Sequence, residues 1–305
     1  MHINLRSENY SLGVALPTPY DNHLNIDFIA LKNIIEFNIA QGVQYFIVLG
    51  TTAETPLLSF NEKVEIARFV AEEVSGRVPL VLGLGGINPQ QVCQEYRELP
   101  TDAYQAVLCV TPYYIRPSQE GLFAYYQYLN MHIDMPIVAY NVPARTGVHM
   151  QVETVLKIAN ELDKVIAIKE ASGDLEHFSR LIDQVPSNFA VISGDDSTAV
   201  YSELLGAHGV ISVAAAAIPD QFSKMMSLAR KGERSKSIEL FNQLEELIAC
   251  TSVEGNPTGI KAVLNELELC SSALRLPLIE ASSVLRQKIK TACDEIKLFS
   301  LPHIT

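Results

Sequence analysis

Lys169 closes the apolar run Val165-Ile166-Ala167-Ile168, so a strand-like stretch carries one amine into apolar surroundings. Desolvation disfavours an ammonium and lowers its pKa, which makes a lysine a nucleophile able to form an imine with a carbonyl compound. That chemistry needs a proton carrier for the carbinolamine and enamine steps, and Tyr140, on the adjacent apolar run from Ile137, can serve. A hydroxyl such as that of Thr51 can relay its proton, and the backbone of a Thr51-Thr52 turn can hold a carboxylate. Taken singly, each residue also has an ordinary use. A lysine marks where a strand surfaces, a buried tyrosine satisfies its hydroxyl, and threonines cap turns.

The elements that must position these groups are legible as periodicity. Short runs rich in β-branched residues recur at Val14 to Leu16, Tyr45 to Leu49, Leu80 to Leu84, Ala106 to Val110, Ile137 to Tyr140, Val165 to Ile168, Ala190 to Ser193 and Gly209 to Val213. Amphipathic segments such as Asp27 to Gln41, Asn61 to Ser75, Gln151 to Glu161 and Asp174 to Gln184 alternate with them. Eight βα units of about thirty residues predict an α/β fold, a (β/α)8 TIM barrel, whose sites lie at the C-terminal ends of the strands. A doubly wound open sheet would carry a glycine-rich turn after its first strand, and Leu16-Pro17-Thr18-Pro19-Tyr20 is not one. Gly83-Leu84-Gly85-Gly86 lacks a P-loop lysine and reads as tight backbone at the barrel rim. After Pro219 the segments Gln221 to Lys231, Ser235 to Cys250, Gly259 to Leu267 and Ile279 to Ile296 read as helices. The expected division is a catalytic barrel over residues 1–231 and a C-terminal helical appendage over 232–305.

Composition narrows the function classes. The 305 residues are 48% hydrophobic and 19% charged, and no apolar stretch approaches the roughly 18 residues of a membrane span. The opening Met1 to Glu8 lacks the features of a secretory signal, and five scattered cysteines without CxxC spacing fit reduced thiols, so a cytoplasmic protein is expected. Cys109, inside an apolar run, reads as a small buried hydrophobe. With 23 basic and 35 acidic side chains the formal charge is −12, which argues against nucleic acid and anionic membranes as partners. Asp195-Asp196 reads as an N-cap for the next helix, because no third ligand stands nearby to make a metal site. His149, His177 and His208 show no partner pattern and receive no chemistry.

The strand ends GTTAE, TPYYIRPSQEG, YNVPARTG, IKEASG, SGDD and GVISV, in this order and spacing, resemble those of the dihydrodipicolinate synthase (4-hydroxy-tetrahydrodipicolinate synthase) family. This family belongs to the pyruvate-dependent class I aldolases that include N-acetylneuraminate lyase. The likeness runs from about Gly13 to the chain end. It implies that pyruvate condenses on Lys169, becomes an enamine and attacks L-aspartate 4-semialdehyde, in the diaminopimelate route to lysine. By the same resemblance Tyr140 is the proton shuttle, Thr51 its hydroxyl relay, and Tyr114 a third relay member donated by a neighbouring subunit. Thr52 holds the pyruvate carboxylate, while Gly194 and Ile211 line the bound keto acid. No metal or organic cofactor is implied, and a homotetramer built as a dimer of dimers is.

Two other functions remain open. A sialic acid or sugar-acid lyase would share Lys169 and Tyr140, but the planar fork of Arg145 suits a second substrate bearing a carboxylate, and Thr51 stands where the sialic acid lyases that this chain resembles usually carry serine. A non-catalytic binding barrel would not need the Lys169, Tyr140 and Thr51 set. Ala53 departs from the glycine of GTTGE, which matters only if that position needs positive φ. Asn256 matches a position linking tail to barrel. In lysine-inhibited members an acidic residue receives the α-ammonium of the inhibitor. Here Asn88 and Tyr113 match that pocket, but Pro56 and Phe60 replace small or polar groups and Val92 takes the acidic position, so weak or absent inhibition by lysine is expected unless another carboxylate, such as Glu95, serves instead.

Overall fold

The computed structural model describes residues 3–296. Eight parallel strands close a barrel in sequence order: β1 (Leu12–Ala15), β2 (Tyr45–Val48), β3 (Leu80–Gly85), β4 (Ala106–Val110), β5 (Ile137–Asn141), β6 (Val165–Glu170), β7 (Ala190–Ser193) and β8 (Val210–Ser212), with β1 paired to β8. All eight coincide with the apolar runs read from the sequence, the first beginning two residues earlier because Leu12 and Gly13 pair with β8. Both faces of each strand are covered, which is why these runs are continuously apolar rather than alternating. One set of side chains, including Ile47, Leu108, Val138, Ala167 and Ile192, fills the barrel interior. The opposite set, including Phe46, Val107, Ala139 and Ile168, packs under the helices.

The outer layer comprises α1 (Phe28–Ala40), α2 (Phe60–Val74), α3 (Pro89–Glu98), α4 (Gln119–His132), the short α5 (Pro143–Thr146), α6 (Val152–Glu161), α7 (Leu175–Gln184), α8 (Ala199–Leu204) and α9 (Pro219–Arg230). Local chemistry fixes several starts. Ser59 and Glu62 form a reciprocal capping box at α2, so this helix begins one residue before the expected Asn61. Asp174 caps α7 through two backbone N–H groups.

The tail continues through α10 (Arg234–Cys250), α11 (Thr258–Glu266) and α12 (Ser283–Glu295). The expected start of α12 at Ile279 is four residues early, because the Ser282 hydroxyl accepts from Leu285 N and sets the N-terminus there. Residues 297–305 of the expected appendage lie outside the described residues. Where a Cβ at Gly83 would stand, Leu49 O lies at 2.3 Å, and at Gly85 Val110 Cγ1 lies at 2.3 Å, so the glycine-rich strand β3 does serve close backbone packing at the rim. No helix among the described residues is long and apolar enough to cross a membrane.

Candidate active site

Lys169 belongs to β6, and its inward direction is set by a register irregularity. Ile137 pairs with Val165, but the next residue, Val138, pairs with Ala167, leaving Ile166 extra. Without that bulge Lys169 would lie beside Asn141. With it, Lys169 pairs with Tyr140 and Glu170 with Asn141. Paired residues in parallel strands share a face, so both Lys169 and Tyr140 follow Ala167 and Val138 into the barrel interior. Lys169 is 4% exposed, and its Nζ lies 4.4 Å from the centre of the Tyr140 ring. Next to it, a Cβ on Gly194 would fall 2.7 Å from Lys169 Cε, so the absence of a side chain there leaves the lysine its room.

These groups open into a cavity of about 290 Å³ at the C-terminal ends of the strands, lined among others by Thr51, Thr52, Tyr140, Arg145, Lys169 and Gly194. A second cavity of about 320 Å³ shares Gly50, Thr51, Leu108, Tyr140, Val142 and Arg145 with it and extends to Lys63 and Tyr113. Thr51 to Ala53 form a single 3-10 turn, with Glu54 at φ 56° closing it. Ala53 is not at positive φ, which explains why a side chain is accepted there. Arg145, at the exposed end of α5, donates from Nη2 to Asn256 O at 3.1 Å, and Asn256 Nδ2 donates to Thr52 Oγ1 at 3.0 Å. The tail therefore forms part of the cavity wall, contributing Ile248, Thr251, Ser252 and Asn256.

Two expected residues lie apart from this group. Ile211 is buried in the barrel interior and lines neither cavity. Tyr114 is 86% exposed, at φ 69°, and also lines neither. Its neighbour Tyr113 faces the second cavity instead.

Several groups were not anticipated. Glu54 and Lys261, both fully buried, form an ion pair joining the end of the Thr51 turn to α11. Lys261 Nζ also donates to Ala273 O at 3.0 Å and lies 4.1 Å from the Tyr20 ring centre. Burial pushes the Lys261 ammonium down and the adjoining Glu54 pushes it back up. His149 and His177 are also partners, contrary to the sequence reading: His149 Nε2 and His177 Nδ1 are 3.3 Å apart, beside Asn141 and Glu170. Spacing could not reveal this, since the four side chains come from three elements and a loop. His208 is structural, its Nδ1 accepting from Val191 N at 3.1 Å. The aspartate pair is corrected too. Thr198, not an aspartate, is the N-cap of α8. Asp195 Oδ1 accepts from Thr198 N at 3.1 Å, whereas Asp196 Oδ2 accepts from Val213 N and Ala214 N at 3.0 and 2.8 Å and so ties β7 to the end of β8. The five cysteines are free and buried, and burial pushes the Cys109 thiol well up, as an unreactive core residue requires.

A buried amine beside a tyrosine, under a hydroxyl-rich turn and an arginine at the mouth, has the parts for imine chemistry on a small carboxylated carbonyl compound. The Dihydrodipicolinate synthetase family matches residues 10–296. The 4-hydroxy-tetrahydrodipicolinate synthase of Azobacteroides pseudotrichonymphae genomovar. CFP2 is 40% identical over 281 residues, 92% of this chain and 95% of that protein. That of Parabacteroides distasonis is 40% identical over 97% of this chain and 98% of its own. Among solved structures, the dihydrodipicolinate synthase of Thermotoga maritima superposes with a TM-score of 0.92 at 34% identity, covering 95% of this chain and 99% of that one. The chloride-inhibited dihydrodipicolinate synthase of Acinetobacter baumannii, complexed with pyruvate, superposes at 0.91 with 31% identity over 95% of this chain and 99% of its own. With the fold, the buried lysine and the strand-end motifs in agreement over nearly the whole chain, the protein belongs to the dihydrodipicolinate synthetase family.

Proposed function

We propose that this lyase condenses pyruvate with L-aspartate 4-semialdehyde through an imine on Lys169, yielding 4-hydroxy-tetrahydrodipicolinate for lysine biosynthesis. The observation that carries the reading is the placement of Lys169 Nζ 4.4 Å from the Tyr140 ring centre, in a cavity that also holds the Thr51–Thr52 turn and Arg145. The Lys169 amine adds to the keto carbon of pyruvate, and the carbinolamine loses water to give the imine. Loss of a methyl proton gives the enamine, whose carbon attacks the aldehyde; cyclisation by the amine of the second substrate then displaces Lys169. Tyr140 moves the protons these steps require, Thr51 relays them, and the Thr51–Thr52 turn together with Gly194 seats the keto acid. Arg145 receives the carboxylate of the semialdehyde. Tyr114 completes the relay from a neighbouring subunit in a homotetramer, and Ile211 supports the site from the barrel interior. The reading calls for no cofactor, nucleic acid or membrane, and places the enzyme in the cytoplasm.

Borohydride reduction in the presence of pyruvate tests this directly. One pyruvate-derived adduct is expected, on Lys169, because only an imine is reducible there. Lys169→Ala should remain folded and lose both the adduct and turnover. A mass shift on another lysine, or none, refutes the mechanism. Turnover with pyruvate and N-acetylmannosamine but not with aspartate semialdehyde would favour a sialic acid lyase, a reading Arg145 opposes.

A further inference from the structure

The residues immediately after Tyr140 and Lys169 face outward and form a closed polar ring beneath the helices. Asn141 and Glu170 are buried at 0% and 3% exposure, and Asn141 Nδ2 donates to Glu170 Oε2 at 2.7 Å. The amide orientation is fixed independently, because Asn141 Oδ1 accepts from Met150 N at 3.0 Å. Glu170 Oε1 accepts from Ser172 N at 2.8 Å. The second N–H of Asn141 Nδ2 faces His149 Nδ1 at 3.3 Å, so that nitrogen must accept. His149 then carries its proton on Nε2 and donates to His177 Nδ1 at 3.3 Å, and His177 carries its proton on Nε2, 3.3 Å from Glu170 Oε2, though off the best hydrogen-bond angle. Three links of the ring are hydrogen bonds running in one direction, and the fourth, His177 Nε2 against Glu170 Oε2, closes it as a 3.3 Å contact of the same sense. A proton added to either histidine would set two donors face to face.

We propose that Asn141, Glu170, His149 and His177 are positioning residues that lock β5 against β6 in the register pairing Tyr140 with Lys169, and that they do so with both histidines neutral and protonated on Nε2. The inference rests on the function proposed for Lys169 and Tyr140. No member of the ring touches substrate; it acts through the backbone. Lys169 and Tyr140 are each the immediate chain neighbour of a ring member, and a one-residue slip of the stretch beyond the Ile166 bulge would turn Lys169 out of the barrel. The charged groups facing the histidines are Glu170 on β6 and Asp174 at the start of α7; Glu153 of α6 pairs with Arg180 of α7 at 3.0 Å, and α4 presents Gln119, donating to His149 O at 2.9 Å. Against the two carboxylates, burial and the neighbouring His177 hold the His149 imidazolium below its usual range, in keeping with a neutral ring at pH 7.

The ring has a mirror solution that provides the test. In the double variant Asn141→Asp, Glu170→Gln, the amide at 170 donates to the carboxylate at 141, both histidines move their proton to Nδ1, and every bond reverses with none lost. Either single variant sets like against like, two amide donors or two carboxylates. With pyruvate and aspartate semialdehyde, each single variant is expected to lose kcat by on the order of tenfold to a hundredfold with little change in the KM for pyruvate, as misplacement of reacting groups by about 1 Å produces, and the double variant to recover to within about threefold of wild type. Single variants with wild-type kcat, or a folded double variant no faster than the singles, would overturn the proposal. Should the singles fail to fold, the double variant decides alone. Nitrogen NMR of the histidine rings in the wild-type protein at pH 7 adds a measurement independent of folding: a charged ring or an Nδ1 proton on either residue rejects the scheme. Wild-type turnover and the Lys169 adduct are measured first. Their absence defeats the functional reading and the positioning role with it, whereas a trapped adduct beside an unrescued double variant defeats the ring alone.

Discussion

Lys169 and Tyr140 were legible in the sequence only as a set: each alone had an ordinary use, but both fall at the C-terminal ends of adjacent strands, where a barrel places its site. Arg145 was read from the sequence as a planar fork suited to a carboxylate; the bond that ties it to the tail, to Asn256 O, was not. Arg145 lines both cavities, where a guanidinium can pair with a carboxylate. Arg145→Ala removes a charge-assisted contact worth about 1.5 to 3 kcal/mol, so kcat/KM for aspartate semialdehyde should fall roughly ten- to a hundredfold while pyruvate binding changes much less. Equal losses for the two substrates in steady-state kinetics would contradict this role. The histidine ring was not legible. Its hydrogen bonds depend on which strand faces meet under α6 and α7, and a one-dimensional pattern carries no such information.

At the scale of elements, periodicity located every strand but not the bulge in β6, because Ile166 is as apolar as its neighbours and nothing in its type marks it as the extra residue. The junction of barrel and tail was hidden for a similar reason. Glu54 follows the Thr51 turn and Lys261 sits in a helix whose other members are mostly apolar, and nothing in either residue type announces that they meet with no exposure to solvent. Around this pair, Arg275 N donates to Glu54 Oε2 at 3.1 Å, and the Arg275 guanidinium bonds to Glu62, holding that carboxyl down at about 2. Truncating one partner of a buried pair leaves the other charge stranded, which costs about 3 to 5 kcal/mol. Lys261→Ala should therefore lower stability by that amount in denaturant titration, and because Glu54 closes the Thr51–Ala53 turn, turnover should fall with it. The double variant Glu54→Gln, Lys261→Met should recover most of the stability. A Lys261→Ala protein as stable as wild type would show that the pair has no such structural weight.

The whole molecule poses two questions that reach beyond one chain, and both centre on the second cavity and the Tyr113–Tyr114 segment. The first is regulation. Val92 is 3% exposed and packs close to Gly86, and Glu95 is engaged with Lys63 at 2.8 Å, while Lys63 itself lines the cavity. A lysine ligand there would meet a cation and no free carboxylate, and losing a charged partner for its ammonium costs about 1.5 to 3 kcal/mol. Weak or absent inhibition is expected, and half-inhibition at micromolar lysine in a steady-state titration would contradict it.

The second question is assembly, and here Tyr114 is the informative residue. A bulky side chain in the left-handed region costs on the order of 1 to 3 kcal/mol and persists where something else depends on it. Yet within this chain Tyr114 is 86% exposed and does not line the cavity that holds Lys169, beside an exposed Ile115. An aromatic side chain displayed at such a cost is what a site completed by a second subunit would present. Tyr114→Phe and Lys169→Ala subunits, each slow or inactive alone, should regain activity when mixed and allowed to exchange, because hybrid assemblies contain sites with an intact lysine and a partner's intact tyrosine. Random exchange between two such subunits in a dimer places both defects in one site and neither in the other, so recovery toward about a quarter of wild-type activity per subunit is the ceiling. No recovery after mass spectrometry has verified exchange would mean that Tyr114 acts within its own chain or not at all.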